Sequence, residues 1–298
     1  MSPLSKPFCC LAALAVLACR TEAQPSGDTQ LSADKGGYNF FNPTPANLMR
    51  EMSIDGPGAT ESPYTVDAGH FQIELDFVFY TAVAQTFDGD AFHFNEWDVA
   101  PMNLKVGLLN DLDLQVLLEP YIHQYERDEF EGVRSAVTRH GFGDTTVRLK
   151  YNVWGNDHGP TALGLTPFVT IPTSQNGVGA DIVQGGLIVP FAAKLPWDAH
   201  LGLTSRFVSA QDILGGRSRH EEYGNSILLA RPILRNLEPY VEFASNVSTE
   251  QGVGWVGSFD SGLMWWLTDD LQLNAGANIG MTKWADNWEF FAGLAWRY

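Results

Sequence analysis

The sequence predicts an all-β chain, a transmembrane antiparallel up-and-down β-barrel of about twelve strands, and three observations lead there. The chain ends in an unbroken two-residue alternation that places Phe290, Ala292, Leu294, Trp296 and Tyr298 on one face, as a strand between lipid and a wetter interior requires. Beyond an N-terminal apolar run, no stretch approaches the roughly 18 apolar residues of a spanning helix, so a membrane reading requires a closed barrel. Short and long connections alternate along the chain, which gives tight turns at one rim and longer loops at the other.

The N-terminus reads as a secretory signal peptide over residues 1–23. Lys6 precedes a charge-free apolar run, residues 8–19, and Thr21-Glu22-Ala23 offers a small residue before the cut. Val16-Leu17-Ala18-Cys19 resembles a lipoprotein cleavage box with an imperfect Leu17, which leaves lipidation of Cys19 as an alternative. Cys9, Cys10 and Cys19 all precede the cut, so the remainder has no thiol for a disulfide. The net charge is −17, and losing Lys6, Arg20 and Glu22, a net +1, takes it to −18; with no basic cluster, nucleic acid is excluded as a partner. Residues 24–68, broken by glycine and proline, read as an irregular periplasmic or lumenal segment with one helical turn in residues 47–52.

Residues 69–298 read as the barrel. Phe71, Ile73, Leu75, Phe77 and Phe79 form the outer face of the first strand, opposite Gln72, Glu74, Asp76, Val78 and Tyr80. The second, residues 96–108, slips phase at Pro101, where a bulge fits. The third carries Leu112, Leu114, Val116, Leu118, Pro120 and Ile122 outward, and a long charged loop is expected over residues 126–140. In the fourth, Thr145, Val147, Leu149, Tyr151 and Val153 oppose Asp144, Thr146, Arg148, Lys150 and Asn152, an inner set that a dry core would not accept unpaired. The fifth, sixth and seventh run outward through Leu163–Ile171, Val183–Ala193 and Ala199–Phe207 at odd positions. In the eighth, residues 223–234, Ile227 and Leu229 compete with Leu228 and Ala230 for the outer face, so its phase stays open. Odd positions from Leu237 to Phe243, Trp255 to Trp265 and Leu271 to Ile279 complete the outer face before the final strand. Short turns fall near Asn110, Asn156, Trp197, Asn236 and Asp269; long connections begin near Ala82, Glu126, Pro172, Ser209, Ser248 and Thr282.

Aromatic girdles are expected from tryptophans near strand ends: Trp154, Trp197, Trp265, Trp266 and Trp296 toward the short turns, Trp97, Trp255, Trp284 and Trp288 toward the long loops. The same phase puts Glu74, Asp76, Lys105, Glu119, Arg148, Lys150, Arg206 and Glu242 in the lumen. There they either tune a water-filled path or form a closed network that rigidifies a narrow barrel. Phe290, Leu294, Trp296 and Tyr298 resemble the C-terminal signal of the bacterial barrel-assembly machinery, so that machinery and the lipid bilayer are the expected partners.

No zinc-helix, phosphate-loop or nucleophile-elbow motif occurs, and neither catalytic residues, metal ligands nor cofactors are assigned. His123 and His200 are read as facing inward, the places where a barrel hydrolase would need a serine and an orienting partner. Residues 61–77 (ESPYTVDAGHFQIELDF), 96–108 (EWDVAPMNLKVGL) and 141–150 (GFGDTTVRLK), with Trp154-Gly155-Asn156-Asp157 and the C-terminal strands, resemble the family named for the meta-pathway of phenol degradation. That resemblance implies an outer-membrane transporter of a Gram-negative-type bacterium, passing small molecules with aromatic or hydrophobic compounds among the candidates; no functional residue is carried over. The expected function is passive passage of an unidentified small solute, without enzymatic turnover. The alternatives are a closed structural or adhesive barrel and a barrel-embedded hydrolase.

Overall fold

The computed structural model describes residues 34–56, 58–87, 90–130, 132–212 and 217–298; the signal-peptide and lipidation readings lie outside the described residues. Fifteen strands form one antiparallel sheet among them. They are β1 (Phe71–Phe87), β2 (Asp90–Val99), β3 (Met102–Leu109), β4 (Leu112–Leu118), β5 (Tyr121–Phe130), β6 (Val133–Gly141), β7 (Thr145–Trp154) and β8 (Thr161–Ile171). The remainder are β9 (Gln184–Leu195), β10 (Ala199–Gln211), β11 (Arg219–Ala230), β12 (Leu237–Ser248), β13 (Val256–Thr268), β14 (Leu271–Gly280) and β15 (Trp288–Arg297).

Three pairs, β2/β3, β4/β5 and β6/β7, are single staves interrupted once, so the wall is a closed barrel of twelve staves. Two of the interruptions contain proline, which cannot donate to the ladder: Ala100-Pro101, with Ala100 at φ 59, and Glu119-Pro120. Closure is made by β1 against β15, from Gln72 opposite Arg297 to Ala82 opposite Trp288. The seam is locked at its end by reciprocal backbone bonds, Phe71 N–H to the Tyr298 carbonyl at 3.0 Å and Tyr298 N–H to the Phe71 carbonyl at 2.8 Å.

The outer face is apolar and open to the surroundings, with Leu149, Tyr151, Val153, Val169, Leu187, Phe207, Val241, Phe259, Leu263, Ile279 and Phe290 all exposed. That exposure has the form of a lipid-facing band, since polar partners are buried on the opposite side of the same strands. β11 joins this pattern with Tyr223, Ile227 and Leu229 outward. Its inner Leu228 and Ala230 pack with Tyr240, Phe291, Phe79 and Met264, an apolar cluster inside the lumen. A second inner cluster joins Phe168, Ile188, Val208 and Ala210.

Four expectations about the strands change. The stretches expected as long connections from Ala82 and from Glu126 are instead the β1–β2 and β5–β6 hairpins. Along β6 the residues Val133–Thr138 are exposed at every position, which removes the apolar alternation that marks a membrane strand. A register shift between Asp76 and Val78 turns Phe79 inward, where it stacks on Phe291 at 6.2 Å rather than facing lipid. The break at Glu119-Pro120 likewise reverses β5: Ile122 is buried, while His123 pairs with the outward Trp97 and so does not face the lumen. The expected helical turn is a short 3₁₀ turn at Ala46–Leu48.

The seam generates a prediction. Trp296→Ala combined with deletion of Tyr298 removes an outer aromatic and both terminal hydrogen bonds. The fraction of protein showing heat-modifiable barrel mobility on gels should fall well below that of the unaltered chain. Unchanged folding would show that the seam closes without its end.

Candidate functional site

The site begins with residues 34–70, which follow no strand periodicity and enter the barrel from its short-turn rim. Asp67, fully buried, anchors them there. Its carboxylate lies 3.1 Å from Lys35 Nζ, 3.3 Å from Arg50 Nη2 and 3.7 Å from Arg297 Nη1, and it accepts the Arg50 backbone N–H at 3.0 Å. Arg50 also donates to the Thr65 and Asn110 carbonyls, each at 3.0 Å, and Arg297 donates to the Arg50 carbonyl at 2.7 Å. Lys35 and Arg50 reach Asp157 in the β7–β8 turn at 2.6 and 3.3 Å. Burial acts to raise the Asp157 carboxyl, but hydrogen bonds from Lys35 and Asn110 and the Arg50 charge outweigh it and hold the group below its ordinary range.

From this clasp, residues 50–56 and 58–67 form a strap through the lumen. On one wall Asp55 is paired with Lys105 from β3 at 2.6 Å and with Lys150 from β7, while Lys105 also meets Glu74 from β1. Val66 N–H donates to Asp113 at 3.0 Å, and Asn152 donates to the Pro63 carbonyl at 2.8 Å. On the opposite wall Thr60 donates to Glu242 at 2.6 Å and lies 2.6 Å from the Ser226 hydroxyl, Ala59 N–H donates to Glu242 at 3.1 Å, and Glu61 N–H donates to Thr204 at 2.9 Å. The strap therefore bridges the lumen from the β3–β7 wall to the β10–β12 wall. Inner glycines make room for it: a side chain at Gly107 would collide with the Asp67 carbonyl, and one at Gly202 would come within 2.7 Å of Thr60.

On the long-loop side of the strap lies a chamber of about 460 Å³. Its floor is Asp55, Ala59 and Glu61, and its walls include Asp76, Asn103, Glu119, Arg148, Arg206 and Asn246. Arg148 donates to Glu61 at 2.8 Å, and the Arg148 and Arg206 guanidinium groups sit 5.9 and 5.4 Å from the Phe168 ring centre. Arg206 is exposed to this space. Two cations backed by a buried aromatic ring thus share the chamber with acidic and amide groups, and the chamber can hold a small molecule with both polar and apolar parts.

The sequence-predicted charges divide between these two features. Glu74, Lys105, Lys150 and Glu242 hold the strap; Asp76, Arg148 and Arg206 line the chamber; Glu119, also on its wall, accepts the Asp144 N–H at 3.1 Å. Missing from the sequence reading were Asp55, Glu61, Arg50 and Asp67, whose segment offers no period to read. Arg297 did carry a signal, as the one charge on the inner phase of the last strand's C-terminal half. Trp97, Trp154, Trp197, Trp255, Trp265, Trp288 and Trp296 are exposed. Trp284 packs over Gly254 in the loops, where a side chain on that glycine would strike its ring. His200 bonds Glu238 at 2.8 Å.

Residues 54–298 match the model of the family described as "Putative MetA-pathway of phenol degradation". The chain belongs to that family. The match starts at residue 54 and so takes in Asp55 and the lumen-crossing part of the strap as well as the barrel. No curated protein sequence matches the chain. Among solved structures, similarity extends to the NanC porin, at 9% identity and TM-score 0.46 over 76% of this chain and 98% of that one. It extends also to the translocator domain of autotransporter NalP from Neisseria meningitidis, at 9% identity and TM-score 0.47 over 82% and 91%. The beta domain of the Bordetella autotransporter BrkA follows, at 11% identity and TM-score 0.46 over 76% and 98%.

Two predictions test the strap and its clasp. Lys150→Met leaves Asp55 with one ammonium partner and should destabilise the folded barrel by about 3–5 kcal/mol in urea titrations in lipid, with part of the loss recovered on adding Asp55→Asn. An unchanged midpoint would mean that the pair does not hold the strap. Asp157→Asn should lower stability at neutral pH, and its difference from the unaltered chain should shrink as pH falls below about 4. A carboxylate held below its ordinary value contributes above the unfolded pKa, and that contribution is lost on protonation. A difference that grows in acid would contradict the assignment.

Proposed function

We propose that this protein is an outer-membrane channel for passive passage of small solutes, without turnover, in which the strap over residues 50–67 sets the resting conductance. The observation that carries the reading is the chamber above the strap, a lumenal space lined by Arg148, Arg206, Asp76 and amide side chains rather than filled by packed apolar residues. Supporting it is the family to which the chain belongs, whose description concerns degradation of a small aromatic compound. The Arg148 and Arg206 guanidinium groups, backed by the buried Phe168 ring, suit a solute with a polar or anionic substituent.

The strap is held by ion pairs, hydrogen bonds and the buried side chains of Met52, Pro63 and Val66, and it contributes no strand to the wall. A second reading, a closed structural barrel, is favoured by the density of that buried network on both walls. Planar-bilayer recordings separate the two. For the channel, the full chain should give small or infrequent steps, and a variant lacking residues 50–66 should give larger, stable ohmic steps. Silence from both, with heat-modifiable mobility showing that each is folded, would select the closed barrel.

A further inference from the structure

The inner wall at the long-loop mouth carries a second cluster, distant in sequence from the strap and made by three neighbouring staves. Asp212 follows β10, His220 and Glu222 lie on β11, and Glu250 follows β12. Their sequence parity matches the inward Thr204 and Ser226, and register places Ala210 opposite His220 and Glu222 opposite Ser248. Glu250 is presented by a turn pinned to β11, with Thr249 N–H donating to the Glu221 carbonyl and Glu221 N–H to the Thr249 hydroxyl, both at 2.9 Å.

The His220 ring is 6% exposed and both of its nitrogens face carboxylates. Nε2 lies 3.0 Å from Glu222, which is itself held by Asn246 at 3.3 Å. Nδ1 lies 3.2 Å from Asp212 and 3.4 Å from Glu250. A nitrogen with one hydrogen serves one of those two oxygens. If Nε2 carries the hydrogen for Glu222, Nδ1 presents a lone pair toward two anions. The imidazole brings at most one positive charge to three carboxylates.

We propose that Asp212, His220 Nδ1 and Glu250 form a binding site for one divalent transition-metal ion of the Zn²⁺ type. Glu222 acts as the positioning residue that fixes the tautomer through Nε2. One atom from each of the three ligands lies within 4.8 Å of the others. Two ligands bound at about 2.1 Å to a tetrahedral ion stand about 3.4 Å apart, close to the separations measured from Nδ1. The carboxylate–imidazole–metal order reproduces the arrangement by which proteins orient a metal-binding histidine. Three protein ligands leave one position of a tetrahedral ion open, and the ion would tie the ends of β10, β11 and β12 together.

The test uses the purified, untagged full chain with Cys9, Cys10 and Cys19 replaced by serine, stripped with chelator and titrated calorimetrically with ZnCl₂. One Zn²⁺ should bind per barrel. His220→Ala and Glu250→Gln should each weaken binding at least tenfold, and Glu222→Gln roughly 10- to 100-fold. His123→Ala, on the outer wall, should leave it unchanged. Glu250→Gln is nearly isosteric, so with heat-modifiable mobility preserved it separates loss of a ligand from loss of the fold. Absence of stoichiometric binding by the unaltered residues, or equal binding by the His220 and Glu250 variants, would overturn the site.

Discussion

Asp55 sits between two lysines that belong to different staves, and much of the interior follows from that contact. Lys105 and Lys150 are both almost fully buried, and a buried ammonium without a counter-charge costs several kcal/mol. The wall does supply Glu74 to Lys105, but the direct ion-pair partner of Lys150 is Asp55, which the strap brings in. Wall and strap therefore fit each other: the strap has no periodic structure of its own, and its Asp55 supplies a direct ion pair to a lysine on each of two staves.

The remainder of the interior accommodates this crossing. Gly107 and Gly202 keep the wall thin where the strap passes, and Glu242 on the far side accepts from Thr60 and Ala59. Two inner apolar clusters occupy other parts of the wall, one around Phe168 and Ile188 and one around Tyr240 and Phe291. What is left is a single-sided chamber, with the strap as floor and the long-loop mouth above. An unobstructed pore would need no such division of labour between charged, glycine and apolar inner positions.

Much of the wall was legible in the sequence because lipid and lumen demand opposite chemistry at alternate residues. Leu149, Tyr151 and Val153 against Lys150 and Asn152 show the rule at its clearest, and it carried the reading from β7 to β15. It failed wherever one extra residue exchanged the faces, as at Asp76 to Val78, where Phe79 turned inward, and at Glu119-Pro120, where His123 turned outward. It was silent for β11, since Leu228 and Ala230 pack into an apolar lumenal cluster that a polar-inside rule does not anticipate. It could not extend to the β5–β6 hairpin, where Val133–Thr138 are exposed at every position. The chamber was half visible: the wall charges follow from parity, but Asp55 and Glu61 lie in a segment whose partners are more than 80 residues away in most cases and share no spacing with it.

The central claim is that the strap lies in the lumen with Thr60 against Ser226. The most direct measurement is disulfide formation in a chain carrying Thr60→Cys and Ser226→Cys, with Cys9, Cys10 and Cys19 replaced by serine, read by thiol labelling of the folded barrel. The hydroxyls of this pair stand 2.6 Å apart. The account predicts near-complete loss of free thiols on mild oxidation and their full return on reduction. Two freely labelled thiols in a barrel that keeps its heat-modifiable mobility would contradict it.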